Sequence, residues 1–427
     1  MTVINELRMR AAADPAGRSG WDASVRTRLV LTGTVMALLL VGANLATPLY
    51  PLLQERLQLG PFAVTLAFSS YVLALIAGLV LYGHWSDHIG RRAALVLAVC
   101  VGLAGGLVFA FAPSLPVLIA GRALQGAAVA LATGASSAAL RELLPMHPEW
   151  AGRFTLLASA GGVAAGPVAG GLLSSLPSPT TTPFLVHAVL LAAALIPLWL
   201  LRARPALFPA PGRQAQRALR PRRLALSAEA RPQFWTAAVV GFLSFSLFGF
   251  GLSLAPTYFA QLFGVESRVL TGALAALTLA ASALSQLFGR AHRRLLPAAL
   301  ALMAAGVALI AVAGELRSLP LLVGASILAG LAQGAAFRSA FNDVAASVPA
   351  AQHAQVVSTV YVVTYLGSAV PVLGLGLLAS GVGLPAAVTW FAAACAAGCL
   401  AVAVAVVARR GRRGGRRGAR WGRGYAA

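Results

Sequence analysis

The sequence predicts an all-α membrane protein whose twelve spanning helices form two pseudo-symmetric six-helix bundles. Three observations carry that expectation. The chain is 59% hydrophobic and only 10% charged over 427 residues, where soluble domains carry about 25% charged residues. Long uncharged runs recur along it, each matching the ~20 residues at 1.5 Å rise that cross a roughly 30 Å hydrocarbon core. An arginine- and proline-rich stretch at about 204–232 divides those runs six and six.

Taken in order, residues 1–28 form a polar segment with five arginines and three acids. The apolar run that follows, about 29–53, is too long for a cleavable signal peptide and lacks a small-residue cleavage site, so it is expected to stay as helix 1. The remaining helices are placed at 61–83, 91–112, 115–140, 153–176, 183–203, 234–262, 269–289, 295–314, 319–343, 353–380 and 384–408. The expected organisation is an N-terminal segment at 1–28, bundles at 29–203 and 234–408, a linker at 204–233 and a basic tail at 409–427.

Arginine placement sets the expected orientation, because basic residues gather on the cytoplasmic side. All 33 basic residues are arginine. Turns from odd to even helices carry few of them: Arg56, Arg268 and Arg317. Turns from even to odd helices carry Arg91, Arg92, Arg141, Arg153, the arginines of the linker, then Arg290, Arg293 and Arg294. Eight more lie between Arg409 and Arg423. Both termini are therefore expected in the cytoplasm of a cell with this protein in its inner membrane. Trp85, Trp150, Trp199 and Trp235 fall at that same level, where interfacial aromatics belong. The Arg/Gly tail has the composition of an RNA-binding stretch, but beside a membrane its expected partner is anionic lipid, not nucleic acid.

The most charged short turn is Gly83-His84-Trp85-Ser86-Asp87-His88-Ile89-Gly90-Arg91-Arg92, set between two long uncharged runs. Gly83 and Gly90 allow close helix approach and a tight reversal. Two internal repeats support two related halves. Leu124-Gln125-Gly126-Ala127-Ala128 in helix 4 returns as Ala332-Gln333-Gly334-Ala335-Ala336 in helix 10. Pro167-Val168-Ala169-Gly170-Gly171-Leu172-Leu173 in helix 5 returns, with one insertion, as Pro371–Leu378 in helix 11. Chance likeness between Ala/Gly/Leu-rich helices is the competing explanation for these matches.

Four motifs together resemble the major facilitator superfamily: the turn with Gly83, Asp87, Gly90, Arg91 and Arg92; Arg122-x-x-Gln125-Gly126 in helix 4; Gly162-x3-Gly166-Pro167-x2-Gly170-Gly171 in helix 5; and Gly42-x5-Pro48-Leu49-Tyr50-Pro51 ending helix 1. His88 departs from the arginine usual in the family. The last two motifs resemble those of twelve-helix drug:proton antiporters. The resemblance covers about 29–408 and implies a secondary transporter with a substrate path between the halves. It implies that Asp87 faces the start of helix 11, where a helix N-terminus favours negative charge. Positive-inside decoration is the alternative reading of Arg91 and Arg92.

Within the helices, the glycines at 162, 166 and 170 line one face, and Pro167 opens the hydrogen-bond ladder. The two readings are dense packing and a hinge between the halves. Arg122 lies about seven residues, or roughly 10 Å, inside helix 4, and a cation there needs a cavity, a partner or a route back to the interface. Asn44 falls at nearly the same depth, and the resemblance places helices 1 and 4 together beside the cavity. No Asp or Glu occupies a predicted helix interior, and drug exporters that take cations usually keep one. The interior instead offers Arg122, Asn44, Gln125, His187, Gln286, Gln333, Tyr71, Tyr361 and Tyr365, which fits neutral, zwitterionic or anionic amphiphiles. His187 is the deep side chain that titrates near neutral pH, as a coupling group or as a satisfied structural histidine. Arg338 near the inner end of helix 10 fits snorkelling. Phe242, Phe245, Phe248 and Phe250 in helix 7 pave a ligand site or face lipid.

Cys100, Cys395 and Cys399 fall in apolar segments without nearby His or carboxylate and read as packing residues, so no metal is expected. No phosphate-binding loop or nucleophile constellation appears, so no cofactor and no enzymatic chemistry are expected. The expected partners are a small-molecule substrate and protons, for a monomer that exports a drug-like compound or metabolite. An importer or facilitator of a sugar or organic anion is the alternative, and a non-transporting sensor the alternative of another class.

Overall fold

In hydrocarbon each backbone N–H and C=O must be satisfied inside its own segment, so an apolar run has helix as its available form. The computed structural model describes residues 3–7, 20–203, 230–288, 295–348 and 350–421. Its long helices are α1 (Val25–Asn44), α2 (Pro61–Tyr82), α3 (Arg91–Ala110), α4 (Leu115–Leu143), α5 (Pro148–Leu173) and α6 (Thr182–Leu200). The second set is α7 (Arg231–Ser253), α8 (Arg268–Phe288), α9 (Leu295–Glu315), α10 (Leu319–Ala346), α11 (Ala350–Val382) and α12 (Leu384–Trp421). Twelve helices among the described residues are long and apolar enough to cross a membrane, making this a multi-pass membrane protein. Most of the linker, and Arg290, Arg293 and Arg294, lie outside the described residues.

Proline and serine set many of the starts. Pro61, Pro148 and Pro183 occupy the first turns of α2, α5 and α6, where a missing N–H costs nothing. Ser24 accepts from Thr27 N–H and caps α1, and Ser318 accepts from Leu321 N–H and caps α10. Gly90, at φ +92°, makes the reversal into α3, a backbone conformation that a Cβ would strain.

Two features were not anticipated. Helix 12 does not stop at the membrane edge but runs through the arginine–glycine stretch to Trp421. Helices 1 and 7 are both broken near the same end. Beyond Asn44, α1 gives way to a 3₁₀ turn at Thr47–Leu49 and a short helix at Tyr50–Leu57. Beyond Ser253, α7 gives way at Leu254 to a short helix at Ala255–Phe263. The causes match: Pro48 and Pro51 in one, Pro256 in the other. The broken stretches are themselves a repeat, Leu45-Ala46-Thr47-Pro48-Leu49-Tyr50 against Leu254-Ala255-Pro256-Thr257-Tyr258-Phe259, with Tyr50 and Tyr258 both fully buried.

Between helices in lipid there is no hydrophobic gain to drive association, so close backbone contact through small residues takes its place. A Cβ on Gly126 of α4 would lie 2.1 Å from the Tyr71 carbonyl oxygen of α2, and one on Gly334 of α10 would lie 2.4 Å from the Ser282 carbonyl oxygen of α8. The two Gln-Gly-Ala-Ala repeats thus make equivalent contacts in the two bundles. The bundles join through α2 on α11 and through α5 on α8, two pairings that exchange under the pseudo-twofold relation.

Candidate functional site

The helices alternate in direction, so the molecule has two ends: the turn end, carrying residues 83–92, and the far end, carrying the broken stretches of α1 and α7. At the turn end, charges pair within the N-terminal half. Arg91 contacts Asp87 at 2.5 Å and Glu142 at 2.7 Å, and donates to Ser86 Oγ at 2.6 Å. Arg91 therefore ties the α2–α3 turn to the end of α4. Gly83 helps, because its carbonyl oxygen lies 2.5 Å from where a Cβ on Gly134 would stand. Arg92 is buried and grips Glu6 through two hydrogen bonds, at 3.1 and 2.5 Å, and also donates to the Leu201 carbonyl at the end of α6. Burial pushes the Glu6 carboxyl up from the usual carboxylate range, and the Arg92 hydrogen bond and charge pull it back.

At the far end the halves meet each other. Thr47 Oγ1 donates to the Leu252 carbonyl at 3.3 Å, so the two helix breaks touch. Thr257 Oγ1 donates to Gln54 Oε1 at 2.6 Å, and Ser69 Oγ to the Ala369 carbonyl at 3.5 Å. On α5 and α8 the contact is backbone on backbone: a Cβ on Gly171 would lie 2.5 Å from the Arg268 carbonyl oxygen, and one on Gly272 would lie 2.2 Å from that of Pro167.

The helix-5 motif thus divides its work between two faces. Gly162, Gly166 and Gly170 meet α1 within their own half, against the Ala37 carbonyl, Asn44 Cβ and the Leu45 carbonyl. Pro167 and Gly171, on another face, meet the opposite half.

Toward the far end, about two turns inside α4, lies Arg122, 1% exposed. Its Nη1 donates to Gln125 Oε1 at 2.8 Å and to the Ala43 carbonyl, one residue before the last of α1. A cation suits that place, because the carbonyl end of a helix carries partial negative charge. The guanidinium sits 4.5 Å from the Tyr71 ring centroid and 6.0 Å from that of Phe68, both within cation–π range. Among the described residues no carboxylate pairs with Arg122, and its Nε finds no acceptor.

Tyr71 stands on α2, which packs on α11 of the other half. There the rings of α7, α10 and α11 form one cluster. Phe245 meets Tyr365 at 5.3 Å and Phe337 at 6.0 Å; Phe341 meets Phe337 at 5.4 Å and Tyr361 at 5.1 Å. The Phe337–Phe341 pair is stacked and the others are tilted or edge-on, all favoured arrangements at these separations. Phe250 belongs elsewhere, against Tyr258 and Phe391.

The other sequence-level candidates fall outside this cluster. Asn44 Nδ2 donates back to the Leu40 carbonyl of its own helix at 2.8 Å. Gln333 is fully buried and accepts from Ser282 Oγ, which in turn accepts from Gln286 Nε2 at 3.0 Å. His187 places Nε2 2.9 Å from the Leu38 carbonyl, with its ring lying on Gly42 of α1. Arg338 donates to the Ser285 and Gln286 carbonyls at 3.1 and 3.2 Å. The sequence reading missed the contact of Arg268 with Ser174 across the halves, Nε to Oγ at 3.1 Å, and the Leu-Ala-Thr-Pro/Leu-Ala-Pro-Thr repeat that was open to self-comparison.

Residues 32–294 match the family model for the Major Facilitator Superfamily. The chain is 27% identical over 103 residues to the bacillibactin exporter of Bacillus subtilis (strain 168), and 33% identical over 93 residues to a D-xylose transporter of Levilactobacillus brevis. Those stretches cover 23% and 22% of this chain but only 26% and 20% of the relatives. A D-xylose–proton symporter structure superposes with a TM-score of 0.72 at 16% identity, over 90% of this chain and 97% of that one. Twelve spans, two bundles, and a family match over more than half the sequence converge: the chain belongs to the Major Facilitator Superfamily, and it is a membrane transporter, not an enzyme.

Proposed function

We propose that the protein is a secondary active transporter that exports a small amphiphile, neutral to anionic, by alternating access and in exchange for protons. One observation carries the reading: the halves are joined at the far end, while among the described residues the ion pairs of Arg91 and Arg92 lie inside their own half. With the turn end in the cytoplasm, as the arginine bias indicates, this is a form closed to the outside. Rocking about the aromatic and Arg122 layer would then expose that layer to each side in turn. Asp87 and its neighbours act at the inner gate. Anionic inner-leaflet lipid is the surface for the basic tail, and the unit is a monomer.

Substrate polarity follows from Arg122. A buried cation without a carboxylate repels a second cation and accommodates a neutral or acidic group. Export is supported by the helix-1 and helix-5 motifs and by the likeness to a bacillibactin exporter. Import of a metabolite is the second reading, favoured by the likeness to a xylose transporter.

The test is accumulation of a panel of acidic, neutral and cationic amphiphiles in cells with and without the protein, followed by transport in proteoliposomes. Lower accumulation of acidic or neutral compounds is expected. Higher accumulation replaces export by import, and no movement of any compound removes the transport reading. Collapsing the proton gradient is expected to stop net transport; unchanged transport makes the protein a facilitator. Because His187 is held inside one half, His187→Gln is expected to keep the rate and its proton dependence within about twofold, the effect of one exchanged hydrogen bond. Orientation has its own measurement: cysteines replacing Ala215 and Arg420 are expected to react with an impermeant reagent only from the cytoplasmic side.

A further inference from the structure

We infer that Arg268 is a latch that holds the far end shut, one that gains energy when the halves meet there and loses it when they part. The inference rests on the halves rocking apart at that end.

Arg268 is the first residue of α8. Ser267 caps the helix, its Oγ accepting from Leu270 N–H at 3.3 Å and its carbonyl from Thr271 N–H at 2.9 Å. A cation in a helix's first turn faces the positive end of that helix's own dipole, an unfavourable position. The structure offsets this from the other half. Arg268 Nε donates to Ser174 Oγ at 3.1 Å and Nη2 donates to the Ser174 carbonyl at 3.1 Å. Ser174 is the fully buried C-cap of α5, so the guanidinium sits at the negative end of α5. Ser174 Oγ in turn donates to the Gly171 carbonyl at 2.7 Å. One cation and one hydroxyl thereby satisfy two carbonyls that the end of a helix leaves open.

The latch depends on the contact beneath it. Gly171 lies against the backbone of Arg268 and Val269, and Gly272 against that of Pro167, which is what brings the end of α5 within reach of the start of α8. When the halves part, Arg268 loses both acceptors and stays at the positive end of its own helix. The same residue therefore favours the closed form and disfavours the open one, the differential interaction a two-state element requires. The other described arginines at this end do not do this. Arg56 donates to Thr180 within its own half at 3.0 Å, and Arg317 is exposed.

The test is thiol labelling of Ser69→Cys in protein whose Cys100, Cys395 and Cys399 are replaced by serine. Ser69 is fully buried in the α2–α11 part of the seal. Purified protein in detergent exposes both ends to reagent, so the result depends neither on orientation nor on a known substrate. Arg268→Ala is expected to raise the labelling rate by about tenfold or more, since both hydrogen bonds from the charged guanidinium to Ser174 are lost. Arg268→Lys should fall between, because an ammonium cannot make the same two-point contact. Arg317→Ala should label like the parent. A parental rate in Arg268→Ala overturns the latch, and so does an equal rise in Arg317→Ala, which would trace the effect to net charge. Should Arg268→Ala fail to fold by size-exclusion, Arg268→Gln is read in its place by the same criterion. Faster labelling in a protein that moves none of the panel compounds would keep the latch and reject the transport reading. No labelling in any variant, Gly272→Val included, would reject the rocking motion and the latch together.

Discussion

Arg122→Ala is expected to lower transport by about two orders of magnitude while the protein stays in the membrane at its usual level. The guanidinium makes two charge-assisted contacts, to Gln125 and to the Ala43 carbonyl, each worth ~1.5–3 kcal/mol. It also lies on Tyr71 of α2, the helix that packs on α11 of the opposite half. It therefore links α4, the break in α1 and the interface. Stability should move differently. Removing a buried cation that lacks a counter-ion relieves its desolvation, so the mutant should melt near or above the parent. Arg122→Lys is expected to fail as well, since a point charge on a flexible stem cannot stack on Tyr71 while reaching both acceptors. Arg122→Gln keeps a donor for Ala43 and separates that hydrogen bond from the charge. Substrate flux in proteoliposomes, with a melting curve for each variant, measures all three. Normal flux with lowered stability would make Arg122 a structural clamp and withdraw it from the substrate path.

The spans were legible because hydrocarbon allows one answer to a long apolar run. Arg122 was legible too: a cation seven residues inside a spanning helix is expensive wherever it points. What the sequence did not reveal is which faces meet. The spacing of Gly162, Gly166 and Gly170 marks a close approach, yet nothing in that spacing names α1 as the neighbour. Arg268 read as one arginine in a sparsely charged turn, because its acceptor lies 94 residues away on another helix. His187 illustrates the same limit. Its titration range is a property of the residue, whereas its bond to Leu38 and its seat on Gly42 come from packing. The broken ends of helices 1 and 7 were within reach, since Pro48, Pro51 and Pro256 sit in matching surroundings. Proline inside an apolar run signals a break less strongly than a charge signals an end, because neighbouring helices can satisfy the freed carbonyls.

Gly272→Val is expected to abolish transport by wedging the far end open. A Cβ there would stand 2.2 Å from the Pro167 carbonyl oxygen and 2.9 Å from its carbon. Those are backbone atoms of a packed helix and cannot swing aside as a side chain would, so relief comes from moving α8 away from α5. Overpacking of this kind costs ~1–3 kcal/mol, enough to shift the balance of closed and open forms about tenfold to a hundredfold. The valine branch and the backbone obstacle place this variant at the upper end. Transport needs both forms, so holding one of them stops the cycle even with every ligand contact intact. Two comparisons isolate the cause. Gly374→Ala meets nothing within 4 Å and should behave as the parent. Gly166→Ala meets Asn44 Cβ at 2.5 Å, but inside the N-terminal half. It should lower the melting temperature without speeding the labelling of Ser69→Cys. Gly272→Val should do the reverse, labelling faster at nearly unchanged stability. Normal transport by Gly272→Val would mean that the α5–α8 contact does not have to close during the cycle.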